Sequence, residues 1–168
     1  MIYIIGYMGV GKSLISKELS KKLNIELIDI DTEIVKKEGI SINEIFKKKG
    51  ELYFRNLETE ILKNIRKEKI ISCGGGLPIH NNNMQYIISN GISIYLKANS
   101  DILYSRLKKE KRNRPLINLK KENELKIFIK NEIKKREVFY KKATYIINTD
   151  NKAIKDILRE ICSFILPS

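Results

Sequence analysis

The stretch Ile2-Tyr3-Ile4-Ile5-Gly6-Tyr7-Met8-Gly9-Val10-Gly11-Lys12-Ser13 decides the fold. Its first four residues are an apolar run too short for a helix and closed by glycine, which reads as a buried strand. From Gly6 the chain satisfies G-x-x-x-x-G-K-[ST], and Leu14 to Leu23 then continues as a helix. A strand, a glycine-rich turn and a helix in that order let successive backbone N–H groups turn inward around phosphate oxygens, with the positive end of the helix dipole behind them. Lys12 is thereby placed to reach the β- and γ-phosphates of a nucleotide, and Ser13 to ligate Mg²⁺. A glycine-rich turn matching by chance would not need both flanks.

Working outward, short apolar runs alternate with longer helical segments. Ile2–Ile5, Leu27–Ile30, Ile70–Ser72, Ile92–Leu96 and Tyr145–Ile147 read as strands separated by helices. That alternation predicts an α/β fold with a parallel sheet covered on both faces. Ser41-Ile42-Asn43-Glu44 is a capping-box start for a helix carrying Ile45 and Phe46, and Leu57, Ile61 and Ile65 repeat at helical spacing. Ala153 to Ile165 predicts a last helix docked on the sheet. Residues 108–123 hold two Lys/Arg clusters around Arg114-Pro115-Leu116 without an apolar period, which predicts a mobile surface loop.

Length and composition exclude several classes. At 168 residues and 42% apolar the chain fills one domain, 1–168. No run approaches the roughly 20 apolar residues of a membrane span, and the start lacks a basic n-region, so a soluble cytoplasmic protein is expected. Two cysteines, Cys73 and Cys162, and one histidine, His80, offer neither a disulfide framework nor a zinc site. The cysteines read as small buried hydrophobes and His80 as loop surface. The net charge of +13 raises a nucleic-acid partner or a nucleotide-switched protein, but it is spread over 26 lysines without aromatic interleaving, which is the pattern of solvated helix faces. Only seven residues are arginine, so their positions are informative. Arginine grips carboxylate or phosphate at two points, as lysine does not.

Three further segments bear on chemistry. Asp29-Ile30-Asp31 ends the second strand, and residues two apart on a strand share a face, so both carboxylates are expected to point into the crevice where open α/β sheets bind ligands. One would hold a metal's water shell and the other would accept a proton from an attacking hydroxyl. The same pair, with Asp31 just before a helix, is also what an ordinary helix cap supplies. Ser72-Cys73-Gly74-Gly75-Gly76 follows the third strand and leaves the backbone bare for a ligand, or is simply a flexible turn.

Taken in order, G-x-M-G-x-G-K-S, Asp29-x-Asp31, Phe54-Arg55-x-x-Glu58, Gly74-Gly75-Gly76 and Arg114-Pro115-Leu116 resemble shikimate kinase, over nearly the whole chain. The resemblance implies a three-layer αβα, nucleoside-monophosphate-kinase-like P-loop fold with a central five-stranded parallel sheet. It implies a substrate-binding region at about 31–62 and a mobile lid at about 108–123. The implied reaction moves the γ-phosphate of ATP to the 3-hydroxyl of shikimate, a step of chorismate and aromatic amino-acid biosynthesis, with one Mg²⁺ and no nucleic-acid or membrane partner. A monomer is expected.

By the same resemblance, Gly9, Val10, Gly11, Lys12, Ser13, Leu14 and Arg114 bind ATP, and Lys12, Asp31 and Arg114 are catalytic. Asp31 grips ring hydroxyls, Arg55 and Arg136 grip the carboxylate, Gly74 to Gly76 close over the substrate, Phe46 and Phe54 wall the pocket, and Glu58 orients Arg55. Ser13 binds the metal directly, Asp29 and Ser72 through water. Two arginine forks on one carboxylate would neutralise it and fix the ring. Arg55 and Arg136 are equally readable as helix ion pairs, the latter within Lys134-Lys135-Arg136. Arg114 shares its segment with Lys111 and Arg112 and is also readable as a solvated loop charge. Where the family often has a second Ser/Thr after the loop serine, this chain has Leu14. Adenine contacts stay open between Arg106 and Asn148-Thr149-Asp150. Gluconate and nucleoside monophosphates are the alternative acceptors on the same fold.

Overall fold

A computed structural model describes residues 1–110, 117 and 121–166. The apolar runs form five parallel strands: β1 (Ile2–Ile5), β2 (Leu27–Asp29), β3 (Ile70–Ser72), β4 (Ile92–Lys97) and β5 (Tyr145–Asn148). They pair in the order β2-β3-β1-β4-β5. The register sets Ile2 opposite both Ile70 and Ile92, and Asp29 opposite Ser72. Because β3 lies between β1 and β2, the turns that leave these three strands emerge side by side at the sheet's C-terminal edge. Central strands are covered on both faces, and accordingly Tyr3, Ile4, Ile5, Ile70, Ile71, Ile94 and Leu96 are all buried.

The covering helices are α1 (Lys12–Leu23), α2 (Ile30–Glu38), α3 (Ile42–Asn64), α4 (Asn83–Asn90), α5 (Ser100–Glu110), α6 (Glu122–Tyr140) and α7 (Ile154–Ile165). Each turns an apolar stripe inward: Ile15 and Leu19 of α1, Ile157 and Ile161 of α7, Leu103 and Leu107 of α5 are all buried. Truncating one such side chain to alanine costs about 2–5 kcal/mol. Helix α3 starts at the expected capping box, with Ser41 Oγ accepting from Glu44 N at 3.3 Å and Glu44 Oε2 accepting from Ser41 N at 3.0 Å. It is interrupted at Gly50, whose φ of 83° and ψ of 168° leave the helical region. Only glycine adopts that backbone at little cost. The break re-aims the second half of α3, which carries Arg55 and Glu58.

Two expectations are corrected. Strand β2 stops at Asp29, not Ile30, because the Asp29 carboxylate accepts the Thr32 N–H at 3.2 Å and caps α2 at once. Asp31 therefore lies in the first turn of α2, and strand alternation is not what aligns it with Asp29. Nor is 108–123 a loop throughout: α5 runs through Glu110 and α6 begins at Glu122, tied by Tyr104 Oη donating to Glu122 at 2.9 Å and by a Lys108–Glu122 ion pair. Ile117 is buried; Arg114-Pro115-Leu116 and the other lid residues at 111–113 and 118–120 lie outside the described residues. Helix α6, crowded with lysines and glutamates, buries Leu125, Ile129, Arg136 and Tyr140.

Candidate active site

The turn between β1 and α1 forms one wall of an open cleft of ≈ 280 Å³ at the C-terminal edge of the sheet. Lys12, Ser13, Leu14, Asp29, Asp31 and Ser72 line it together with Gly9, Gly11, Gly74 and Gly75. Lys12 bends back over the turn, donating from Nζ to the Tyr7 carbonyl at 3.1 Å. Ser13 Oγ donates to Asp29 Oδ2 at 2.9 Å, while Asp29 Oδ1 is held by the α2 cap. One carboxylate thus fixes the first turn of two helices and the hydroxyl between them. On α5, Arg106 Nη1 reaches the Gly9 and Val10 carbonyls at 3.2 and 3.3 Å. Of the other adenine candidates, Thr149 Oγ1 donates to Lys97 O at 3.0 Å and Asp150 accepts from Asn99 N at 2.9 Å.

Across the cleft the site is made of charged side chains removed from water. Arg55 is 5% exposed, Arg136 5% and Glu58 0%. Arg55 donates from Nη1 to Glu58 Oε2 at 2.7 Å, and from Nε and Nη2 to Glu51 Oε1 at 3.1 and 2.8 Å. Its guanidinium lies 5.2 Å from the Phe54 ring centroid and 5.9 Å from that of Phe46, and these rings are 4.9 Å apart. Phe54 is buried and Phe46 half-buried.

Arg136 is held in the same fashion from α6, donating from Nη2 and Nε to Glu132 Oε2 at 2.8 and 3.3 Å. Its guanidinium sits 5.2 Å from the Tyr7 ring centroid, which brings it against the phosphate turn. The reading of both arginines as helix ion pairs is therefore correct as far as Glu51 and Glu132 go, one helical turn before each. It is incomplete, because an ordinary surface pair is solvated and these guanidiniums are not.

The three glycines join the two walls. A side chain at Gly74 would overlap Glu58 Oε1 and come within 3.0 Å of Asp31 Oδ1, and one at Gly76 would overlap the Arg55 guanidinium. A side chain at Gly75 would press within 3.2 Å of the Met8 amide nitrogen, and the Gly75 carbonyl accepts a hydrogen bond from Tyr140 Oη on α6. Here the lack of a Cβ is required by close approach, not by a flexible turn. The glycine strip draws Asp31, Glu58, Arg55 and α6 to the edge of the nucleotide cradle.

Burial governs the titration of this region. It pushes the Glu58 carboxyl up to about 7, against the Arg55 guanidinium and with help from the neighbouring Asp31 charge. Burial raises the Cys73 thiol well above its usual range, so this cysteine is an inert core group as expected. Cys162 is half-buried. His80, half-buried at the end of a 3₁₀ turn (Leu77–Ile79), is pushed below its ordinary value by burial and by Arg55.

Of the expected site residues, the structure brings Gly9, Gly11, Lys12, Ser13, Leu14, Asp29, Asp31, Ser72, Gly74 and Gly75 into one cleft, buries Val10 beneath the turn, and sets Gly76 with Arg55, Glu58, Phe46 and Phe54 behind the cleft, with Arg136 against Tyr7. Arg114 falls outside the described residues. Sequence reasoning missed Glu51, Glu132 and Tyr140. The first two carried a signal, since Glu51-x-x-x-Arg55 and Glu132-x-x-x-Arg136 repeat one i, i+4 pairing.

Known proteins resemble the chain in sequence and in fold. The family model described as shikimate kinase matches residues 8–166. A shikimate kinase of Flavobacterium johnsoniae is 40% identical over 164 residues, covering 95% of each chain. The crystal structure of a Bacteroides thetaiotaomicron shikimate kinase superposes with a TM-score of 0.89 at 33% identity, covering 98% of this chain and 97% of that one. A structure of the Acinetobacter baumannii shikimate kinase in complex with shikimate gives 0.90 at 34% identity, with 98% and 92% covered.

Proposed function

The chain belongs to the shikimate kinase family, and from that premise we propose how its cleft moves the γ-phosphate of ATP to the 3-hydroxyl of shikimate. The observation that carries the reading is the shared edge at Gly74–Gly76. There Asp31 and the buried Arg55–Glu58 pair lie directly beside the cradle that presents Lys12 and Ser13.

ATP enters with its β- and γ-phosphates against the amides of Gly9 to Ser13, and Lys12 exchanges its contact with the Tyr7 carbonyl for phosphate oxygens. Shikimate lies on the glycine strip with its carboxylate toward Arg55 and Arg136 and its ring beside Phe46 and Phe54. Burial strengthens both forks, since few waters compete for them. Asp31, half-buried at the cleft, orients the acceptor hydroxyl and takes its proton as the oxygen attacks. Transfer is in line, without a covalent enzyme intermediate, and Arg114 from the lid adds charge on the moving phosphoryl group.

The donor set suits Mg²⁺. Ser13 Oγ and Asp29 meet at 2.9 Å in the cleft and Ser72 lines it, an all-oxygen group. Among the described residues no cluster of three His, Cys, Asp or Glu could hold a metal, which fits an ion held mostly by water and phosphate. Ser13 would bind it directly, Asp29 and Ser72 through water; when bound it neutralises charge on the β- and γ-phosphates. Among the described residues no helix is long and apolar enough to cross a membrane.

The test is ADP release with shikimate, gluconate and nucleoside monophosphates offered in turn. Shikimate is expected to be the acceptor turned over. Turnover of one of the others with none on shikimate overturns the assignment.

A further inference from the structure

Glu58 occupies an unusual electrostatic position. One of its oxygens, Oε2, receives Arg55 Nη1 at 2.7 Å. The other, Oε1, is buried and finds no hydrogen-bond partner among the described residues. It points at Gly74, where Asp31 Oδ1 faces the same narrow gap from α2. A buried carboxylate oxygen with nothing to accept, set near a second carboxylate, is a place where a proton lowers the energy.

The charge count around it leads the same way. Two guanidiniums, Arg55 and Arg136, already answer Glu51, Glu58 and Glu132, and Asp31, which shares its cleft with Lys12, adds a fourth carboxylate. A substrate carboxylate would be the fifth. Glu51 is 48% exposed and Glu132 18%, so water helps carry their charge, whereas the Glu58 side chain is 1% exposed. The groups that face Glu58 are Arg55 on its own helix, Asp31 from α2, Arg136 from α6 and the Cys73 thiol after β3. Of the five carboxylates, Glu58 is the one whose ionised form is least supported.

We propose that Glu58 holds a proton whenever an acceptor carboxylate is seated against Arg55 and Arg136, so that acceptor binding draws one proton from solvent; this rests on the acceptor site described above. The protonated carboxyl keeps its bond to Arg55, with Oε2 still accepting, while Oε1 becomes a donor with Asp31 Oδ1 across Gly74 as an acceptor. Glu58 is thus a positioning residue: its charge sets how strongly the arginines pull on the substrate. Burial already holds its carboxyl near neutrality before the substrate arrives. Proton uptake is therefore small at about pH 6, where the group is already protonated, and approaches one proton at about pH 8.

The experiment is calorimetric titration of the full chain with shikimate at about pH 8 in two buffers of different ionisation enthalpy, paired with shikimate KM as a function of pH. The wild type is expected to take up between about half and one proton per shikimate, and its KM to rise above pH about 7 with a limiting slope of about tenfold per pH unit. Glu58→Gln, which fixes the neutral shape, should remove the uptake and flatten this part of the KM profile. A purely structural Glu58 would change stability but not the number of protons. Binding without proton uptake in the wild type, or the same uptake in Glu58→Gln, overturns the proposal; the wild-type result decides alone if the variant does not fold. Absence of any shikimate binding overturns the acceptor site and this coupling together, and so is told apart from failure of the coupling alone.

Discussion

The two walls of the cleft are built on opposite plans. The wall proposed for the nucleotide comes from one continuous stretch, residues 6 to 13, and presents backbone amides, with Ser13–Asp29 and Arg106 on the Gly9 and Val10 carbonyls as its side-chain ties to neighbouring elements. The acceptor wall is collected from α2, α3, the turn after β3 and α6, and works through buried ions: Arg55 between Glu51 and Glu58, and Arg136 on Glu132. Amides in a turn are present as soon as the chain folds locally. Buried guanidiniums exist only when distant elements have packed, and losing one partner of such a pair costs about 3–5 kcal/mol. On the proposed function, the first wall binds phosphate with a locally formed frame, and the second couples acceptor recognition to stability.

The sharpest way to break this contrast is at Lys12. It is a side chain added to an amide cradle, so Lys12→Ala should lower kcat by about 10³-fold or more while changing unfolding free energy by less than about 1 kcal/mol. Single-turnover kinetics and a thermal melt check both halves. Undiminished turnover would mean that the cradle does not present the transferred phosphate.

On the acceptor wall the effect should be smaller and differently distributed. Arg55→Lys keeps the charge but not the fork, and the stem of lysine does not serve Glu51, Glu58 and a substrate carboxylate together. Shikimate KM should rise about 10- to 100-fold, ATP KM should stay within about twofold, and the melt should shift downward. Equal damage to both substrates would show that the two walls are not separable.

The same contrast explains how much could be read beforehand. The phosphate turn, its strand and its helix are local, and the motif located them closely, the helix starting at Lys12, two residues before the expected Leu14. The five strands were legible because a buried parallel sheet demands uninterrupted apolar runs such as Ile2–Ile5 and Ile70–Ser72. Asp29 and Asp31 were placed in the right cleft for the wrong reason: the α2 cap, rather than a shared strand face, brings them together. Helix α6 stayed hidden because its inward face is partly polar, with Arg136 and Tyr140 buried in place of aliphatics. The depth of Arg55 and Glu58 was also beyond sequence, since a pair at i, i+3 looks alike on a surface and in a core.

The smallest expected effect tests how complete the nucleotide wall is. Leu14 stands where a second hydroxyl is common in the family; it lines the cleft and is 49% exposed, so its side chain contributes little to the core. If backbone amides dominate this wall, restoring the hydroxyl adds one contact to a set already sufficient. Leu14→Thr should then lower ATP KM by no more than about threefold, within the roughly 0.5–1.5 kcal/mol of one added hydrogen bond. Stability should move by less than about 0.5 kcal/mol, because little apolar surface is lost at a half-exposed position. Shikimate KM should not change. A tenfold or larger gain in ATP affinity would instead show that the amide cradle of this chain is incomplete without that side chain, and the contrast between a backbone wall and a side-chain wall would have to be redrawn.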